Sequence, residues 1–359
     1  MDERKDDAAD VAGIHREKVT KFFRDNVDAD AGELRFSLIS GGKSNLTYLV
    51  ESEAGRWVLR RPPLGHVLPT AHDMAREYRV LAALADTEVP VARPFALCED
   101  PAVNDMPFYV MEYREGVVLN DDIPAGFAES PEVRRAISKS LVDILVRLHA
   151  IDYQHVGLGG FGKPEGYLER QVRRWSQQWE RSKVSESAEI DELIRRLNAA
   201  LPASPPPTIV HGDYRLGNMA LDARDPSNVI AVFDWEMATL GDPLADLGYT
   251  LIYWTEASDL RSSGGLATVS TFTALPGFFT RAEIIDEYAR RSGRNVETVD
   301  FYQVLALYKL AVISEGIYAR FLQGKTLGEG FDNLGRASIS LAQRALAIAN
   351  ASSDARLRA

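Results

Sequence analysis

The 359-residue chain holds a single cysteine, Cys98. One thiol excludes an internal disulfide and any cysteine-built metal centre. It also agrees with a reducing, cytoplasmic setting, which is the expected location. Long apolar runs are missing too. No stretch approaches the roughly 20 apolar residues that a membrane-spanning helix needs, so no membrane partner is expected. Residues 1–13 are acidic and polar and lack the apolar segment of a secretory leader. They are expected to form a disordered tail. Positive charge is in short supply. The 41 Lys and Arg against 52 Asp and Glu leave a net charge of −11. Binding along a nucleic-acid backbone needs clustered bases, so nucleic acid is not an expected partner. Internal repeats and low-complexity tracts are absent as well.

What remains is an ordinary globular composition, 45% hydrophobic, 26% charged and 9% aromatic. The length suits two domains or one domain of two lobes. Apolar runs bounded by turn residues predict strands over 35–40, 46–51 and 56–60. A helix is predicted over 71–85, with Met74, Leu81 and Leu84 on one face together with Glu77. Two more strands are predicted at 95–98 and 108–112, and Arg114-Glu115-Gly116 marks a break. Beyond Gly116 the pattern turns helical. Ser130-Pro131 is a helix start, a capping serine before a proline at the first helical position. Another helix is predicted over 167–181. The proline-rich connector 202–207 then leads into the short apolar stretch Thr208-Ile209-Val210, and the chain from about 280 onward is mostly helical. The fold class expected is α+β: a β-rich part over 14–113, a hinge at 112–116 and a larger helical part over 114–359. Ligand sites favour clefts between such parts.

The segment His211-Gly212-Asp213-Tyr214-Arg215-Leu216-Gly217-Asn218 points to chemistry. Protein kinases keep an Asp and an Asn at this separation in their catalytic loop. The Asp must reach an acceptor hydroxyl, and the Asn must stand one loop further on against a metal that binds phosphate. Residues 219–221, a polar turn and 229–233 then read as a hairpin that ends at Asp234. Two oxygen donors, Asn218 and Asp234, together with phosphate oxygens and water, suit magnesium. Asp and Asn are also common loop-capping residues, and that plain reading competes until the hairpin and Asp234 are counted.

The β-rich part supplies further candidates. Gly41-Gly42-Lys43-Ser44-Asn45 joins two strands, and the amides of Gly41, Gly42, Ser44 and Asn45 can cradle phosphate. Read alone, the same residues are a hairpin turn. The strand Trp57-Val58-Leu59-Arg60-Arg61 ends in cations. Alternation places Arg60 on the face of Val58, which favours Arg60 as the phosphate-gripping residue. Glu77 lies on an apolar helix face, where a lone carboxylate is costly. A partner such as Arg60 relieves that cost, whereas a slightly rolled helix would put Glu77 in solvent. By position alone, the Glu112 carbonyl and the Arg114 amide are candidates to read adenine.

Several segments taken together carry a resemblance. They are Gly41-Gly42-Lys43-Ser44-Asn45-Leu46-Thr47-Tyr48, Trp57-Val58-Leu59-Arg60-Arg61-Pro62-Pro63, Arg76-Glu77-Tyr78-Arg79 and Pro107-Phe108-Tyr109-Val110-Met111-Glu112-Tyr113. Further along come Ile209-Val210-His211-Gly212-Asp213-Tyr214-Arg215-Leu216, Asp234-Trp235-Glu236 and Gly241-Asp242-Pro243-Leu244-Ala245-Asp246-Leu247. Over roughly 15–345 this pattern resembles the aminoglycoside phosphotransferase family, with its two-lobed protein-kinase-like fold. It is most similar to the branch that precedes acyl-CoA dehydrogenase domains in long multidomain proteins, and to its free-standing bacterial relatives. The resemblance implies a small-molecule kinase that uses ATP and magnesium. It implies Asp213 as base, Asn218 and Asp234 as metal ligands, Arg60 on phosphate and Glu77 positioning Arg60. Asp246 and His211 are implied as braces of the loop. The acceptor implied by the branch is a hydroxyacyl-CoA. An aminoglycoside, another small alcohol and a catalytically silent nucleotide-binding module are the alternatives. Arg170, Arg173 and Arg174, near Trp175 and Trp179, read either as an anion-binding run or as a solvated helix face. Three departures from the pattern stand out: Arg60 where the antibiotic kinases have Lys, Asp234 without the Phe-Gly that follows it in protein kinases, and Gly217 where an acidic residue is expected, which implies a looser loop and weaker metal binding or a slower rate.

Overall fold

The computed structural model describes residues 11–41, 45–64, 72–261, 270–325 and 330–359. The chain divides into two compact units: Met1–Glu115 with Ile230–Glu236, and Gly116–Val229 with Met237–Ala359. Residues 230–236, expected in the helical part, thus lie with the first unit. Most of the tail expected over 1–13 falls outside the described residues. Residues 11–13 do not behave as a free tail. Tyr48 donates its hydroxyl to the Ala12 carbonyl at 2.7 Å, and Arg61 binds the Gly13 carbonyl.

The first unit begins with helix α1 (Arg16–Asn26), which the strand-dominated pattern hid. Strands β1 (Arg35–Gly41), β2 (Leu46–Glu51) and β3 (Arg56–Arg61) follow. Next come α2 (Met74–Leu84), β4 (Pro94–Cys98), α3 (Pro101–Asn104) and β5 (Phe108–Glu112). The strands form one antiparallel sheet in the order β1-β2-β3-β5-β4. In β2, alternation buries Leu46, Tyr48 and Val50. These side chains meet Val19 and Phe23 of α1, and the Phe23 ring stands edge-on to Trp57 at 5.0 Å. Helix α2 starts three residues later than the apolar pattern suggested, because Asp73 caps it by accepting from the Arg76 amide at 2.9 Å.

The second unit is mainly helical. Its elements are β6 (Val117–Val118), α4 (Pro131–Ala150), α5 (Tyr167–Ser182), α6 (Ala188–Ala199) and β7 (Thr208–Val210). Strand β8 (Met219–Leu221) follows, then β9 (Val229–Val232), which runs on into the first unit, and β10 (Thr239–Gly241). Helices α7 (Leu244–Tyr253), α8 (Arg281–Ser292), α9 (Val299–Leu322), α10 (Leu334–Ala351) and α11 (Ala355–Arg358) complete it. Ser130 caps α4 as expected, accepting from the Val133 amide at 3.3 Å. Helix α6 was not anticipated. Helix α9 is apolar on nearly all sides, as suits a helix surrounded by others. It packs against α5, α7 and α10. No helix among the described residues is long and apolar enough to cross a membrane.

The contact of α7 with α9 is close enough to require glycine. A β-carbon on Gly248 would lie 2.6 Å from the Tyr302 β-carbon and 2.7 Å from its carbonyl carbon. Backbone cannot yield as a side-chain tip does. Gly248→Ala is therefore expected to lower stability by about 1–3 kcal/mol through overpacking. Urea denaturation of the two proteins measures the difference, and equal midpoints would refute it.

Candidate functional site

In the second unit the loop 211–218 leaves β7, which pairs with β10 through Val210 and Thr239. One buried carboxylate holds the start of this loop. Asp246, in the first turn of α7, accepts from the His211 amide at 2.7 Å and from the Gly212 amide at 2.8 Å. His149 Nε2 lies 3.3 Å from the same carboxylate, and His149 Nδ1 lies 2.8 Å from the Tyr288 hydroxyl. Burial lowers the pKa of His149. A neutral ring that donates from Nε2 and accepts at Nδ1 satisfies both contacts. Burial also works against the Asp246 charge, but His149 and the Gly212 amide outweigh it and hold the carboxyl below its usual range. The bracing contact expected of Asp246 is therefore present, and His149 is a member of it that the sequence did not reveal.

Gly212 has φ +86°, and a β-carbon there would lie 2.9 Å from the Met237 β-carbon and carbonyl oxygen. The next amide, that of Asp213, donates to His211 Nδ1 at 3.2 Å, so His211 acts as a loop anchor. Asn218 turns back on Asp213. Its Nδ2 donates to the Asp213 carbonyl at 2.7 Å and to Oδ2 at 2.8 Å. Asp213 Oδ1 is buried without a hydrogen bond, 3.4 Å from Arg215 Nε. The loop thus brings Asp213 and Asn218 side by side.

Gly217 has a steric explanation. A β-carbon there would strike the Arg215 guanidinium and come within 2.9 Å of Asn120 Oδ1. The space is needed because Arg215 lies back across the loop, with its guanidinium 5.1 Å from the Tyr253 ring centre. On the far side of Gly217 the Asn218 amide closes a turn on the Arg215 carbonyl at 2.9 Å.

In the first unit Arg60 is the centre of a charge cluster. Its side chain is 14% exposed. The guanidinium lies 3.1 Å from Glu77, 2.9 Å from Asp234 and 3.7 Å from Glu236. Glu77 is 3% exposed, so the apolar face carries a paired carboxylate, as expected. Burial pushes Glu77 up to about 7, with Arg60 opposing. Burial likewise opposes the Arg60 charge, but Glu77, Tyr109, Asp234 and Glu236 together raise its pKa. Arg61, the other candidate cation, is committed to the Pro62 and Gly13 carbonyls. Asp234 adopts φ +64°, which turns the backbone at this point.

Two members of the cluster escaped the sequence reading. Glu236 accepts from Asn45 Nδ2 at 3.1 Å, and His72 Nδ1 lies 2.8 Å from Asn45 Oδ1. A carboxylate two residues after Asp234 was the available signal. Gly41 ends β1 opposite Leu46, whereas Gly42 and Ser44 lie outside the described residues. Glu112 ends β5, and its carboxylate binds the Arg114 guanidinium at 2.8 Å. Arg170 is spent on the Lys163 and Glu165 carbonyls, while Arg173 and Arg174 are exposed.

Comparison with known proteins gives consistent results. A model described as "Phosphotransferase enzyme family" matches residues 35–300. Acyl-CoA dehydrogenase family member 10 of Mus musculus is 34% identical over 88% of this chain, and the chain spans only 29% of that protein's length. A Ralstonia eutropha crystal structure that carries an aminoglycoside phosphotransferase designation is 32% identical. It covers 94% of this chain and 99% of its own, with a TM-score of 0.79. Aminoglycoside phosphotransferase APH(4)-Ia, in a ternary complex with ADP and hygromycin B, has the same fold at 14% identity. Its TM-score is 0.59, covering 91% of this chain and 98% of its own. The fold is the two-lobed protein-kinase-like type, with an antiparallel-sheet first lobe and a mainly helical second lobe.

Removing the brace leaves two buried amides and a buried imidazole without their acceptor. Asp246→Ala is expected to cost about 3–5 kcal/mol at neutral pH. The folded pKa of Asp246 is depressed, so its stabilisation is present above the ordinary carboxylate pKa and is lost as pH falls through the lower folded value. Denaturant unfolding between pH 7 and pH 3 checks both points: the variant should start lower and lose less on acidification. A variant as stable as the wild type would refute the brace.

Proposed function

The chain belongs to the phosphotransferase enzyme family, and from that premise we propose that it transfers the γ-phosphate of ATP, with magnesium, to a hydroxyl of a small molecule, foremost a hydroxyacyl-CoA. The observation that carries this reading is the state of Asp213. One carboxylate oxygen is fixed by Asn218 and the other is buried without a hydrogen bond. The Arg215 guanidinium, 3.4 Å away, offsets part of the cost of burying that oxygen, and a hydroxyl donor would supply the hydrogen bond it lacks. An acceptor hydroxyl is such a donor. Proximity and orientation supply much of phosphoryl-transfer catalysis, and a preset carboxylate provides both.

In this reading the acceptor oxygen forms a bond to the γ-phosphorus as the bond to the ADP oxygen breaks. The acceptor proton passes to Asp213 Oδ1. Arg60 grips phosphate oxygens, and Glu77 holds its guanidinium in place. The amides of Gly41, Gly42, Ser44 and Asn45 are assigned to phosphate, and the Glu112 carbonyl and Arg114 amide to adenine. Asn218 and Asp234 are assigned to magnesium, with the amide nitrogen of Asn218 engaged by Asp213 and its oxygen serving as the ligand atom. Magnesium, when bound, neutralises charge on the phosphate oxygens.

The charges of the first unit fit such an ion. Three carboxylates, Glu77, Asp234 and Glu236, surround the single guanidinium of Arg60. Among the described residues no cluster of three or more His, Cys, Asp or Glu side chains is set to hold a metal unaided. Magnesium takes one or two carboxylates and completes its shell with phosphate and water. The complex of APH(4)-Ia with ADP supports a nucleotide donor. The name of the mouse relative supports an acyl-CoA acceptor.

ATP with magnesium should raise the melting temperature of the wild type more than ATP alone, by the linkage of binding to folding. Asp213→Ala should keep that shift and lose transfer by about 10²–10⁴-fold, read as phosphorylated product from an acceptor panel that includes hydroxyacyl-CoAs and aminoglycosides. Unimpaired transfer in the variant would overturn the role of Asp213. Arg60→Met should shrink the nucleotide-dependent shift itself, and an undiminished shift would remove Arg60 from the phosphate site.

A further inference from the structure

Beside Asp213 the second unit contains a cavity of about 50 Å³ that the roles assigned above leave unused. Gly212 forms part of its wall, with Tyr167, Gln171, Trp175, Tyr249 and Lys309. By the usual measure a water needs about 10–15 Å³, so this space admits a carboxylate or a carbonyl group. Among its described lining residues Lys309 is the one cation and Asp246 the one carboxylate, the latter engaged by the His211 and Gly212 amides and by His149. Lys309 interrupts the run Val299–Leu307 and Leu310–Val312, which is otherwise largely apolar and buried. A lysine there is unusual unless its ammonium is used.

The ammonium is not consumed by its neighbours. Nζ donates to the Gly212 carbonyl at 3.2 Å. It stands 4.8 Å from the Tyr249 ring centre and 5.9 Å from that of Trp175. An ammonium has three donors, and aromatic faces stabilise its charge without neutralising it. No carboxylate forms an ion pair with it among the described residues. Burial lowers its pKa, Asp213 and Asp246 oppose that, and Arg174 adds to it. The result is a partly desolvated cation tied to the residue next to Asp213, with donors to spare.

We propose that Lys309 is the acceptor-recognition residue, its ammonium binding a carbonyl or carboxylate oxygen of the same molecule whose hydroxyl meets Asp213, with Trp175 and Tyr249 walling the group between them. This rests on the reading of Asp213 as the group that meets the acceptor. It narrows the acceptor to hydroxy acids and hydroxyacyl thioesters. It also disfavours polycationic acceptors, because a desolvated ammonium at the wall repels them.

The test uses the full chain, Lys309→Met and Lys309→Arg. Binding of 3-hydroxybutanoyl-CoA is titrated calorimetrically with the nucleotide site filled by AMP-PNP and magnesium. Turnover is measured with the same thioester and with butane-1,3-diol, which has no carbonyl oxygen. The expected result is a rise of about 10- to 100-fold in Kd and KM for the thioester in Lys309→Met, the scale of one hydrogen bond to a charged group. The thioester kcat should change less than its KM, diol turnover should fall by a smaller factor than thioester turnover, and Lys309→Arg should recover most of the binding. The AMP-PNP-dependent melting shift, equal in all three proteins, confirms folding. Thioester binding that is absent in the wild type, or equal in wild type and Lys309→Met, overturns the proposal. So does an equal loss of diol and thioester turnover, which would make Lys309 a prop for the Gly212 carbonyl. Binding that follows Lys309 without phosphate transfer would sink the kinase reading and leave the Lys309 assignment standing.

Discussion

The loop 211–218 of the second unit depends on the buried carboxylate of Asp246. Three groups converge on it: the amides of His211 and Gly212 and the ring of His149. Two consecutive amides that point at one carboxylate force the chain to bend, and Gly212 takes up that bend with its positive φ. The bend sets the direction in which Asp213 leaves the backbone. His211 then accepts from the Asp213 amide, so the residue before the bend also restrains the one after it. A loop of ordinary flexibility would spread the Asp213 carboxylate over many positions. Here the amides of His211, Gly212, Asp213 and Asn218 each have a fixed acceptor.

The first unit meets a related problem with charge. Arg60 and Glu77 are both largely buried, and an ion pair in such a place offsets its desolvation only when its remaining polar atoms are satisfied. Asp234 and Glu236 do this for the guanidinium, and Asn45 and His72 extend the network from Glu236. The outcome is a cluster with more carboxylates than cations. Such an excess of like charge is a poor way to stabilise a fold. Burial raises the Glu77 pKa, Arg60 opposes the rise, and Asp234 and Glu236 add to it.

Much of this was legible in the sequence, and the exceptions share a cause. Strands β2 and β5 were readable to the residue because alternation and turn residues mark them locally. The Asp213 and Asn218 spacing was readable because one loop carries both. The Arg60 and Glu77 pair could be inferred because a carboxylate on an apolar face needs a partner. Helix α1 was missed because its buried face within the helix is only Val19 and Phe23, too sparse to announce a period. His149, His72 and Glu236 were missed because their partners lie far away along the chain. His149 meets Asp246 across 97 positions, and Asn45 meets Glu236 across 191. No local pattern encodes such pairings.

Gly217 and Lys309 show where a residue-by-residue comparison with a family pattern falls short. Read against that pattern, Gly217 is a lost acid and suggests weaker metal binding. Set in the structure, it is the space that Arg215 occupies on its way to Tyr253. The loop has exchanged a side chain at one position for a guanidinium two positions earlier, and so places a cation 3.4 Å from the Asp213 oxygen that lacks a hydrogen bond. Lys309 adds a second cation from α9, joined to the loop at the Gly212 carbonyl. Two positive groups beside one carboxylate would repel an incoming ammonium. A pocket for a polycationic acceptor needs the opposite balance. The charges around Asp213 therefore argue for an acceptor that brings oxygen atoms to Lys309 and a hydroxyl to Asp213.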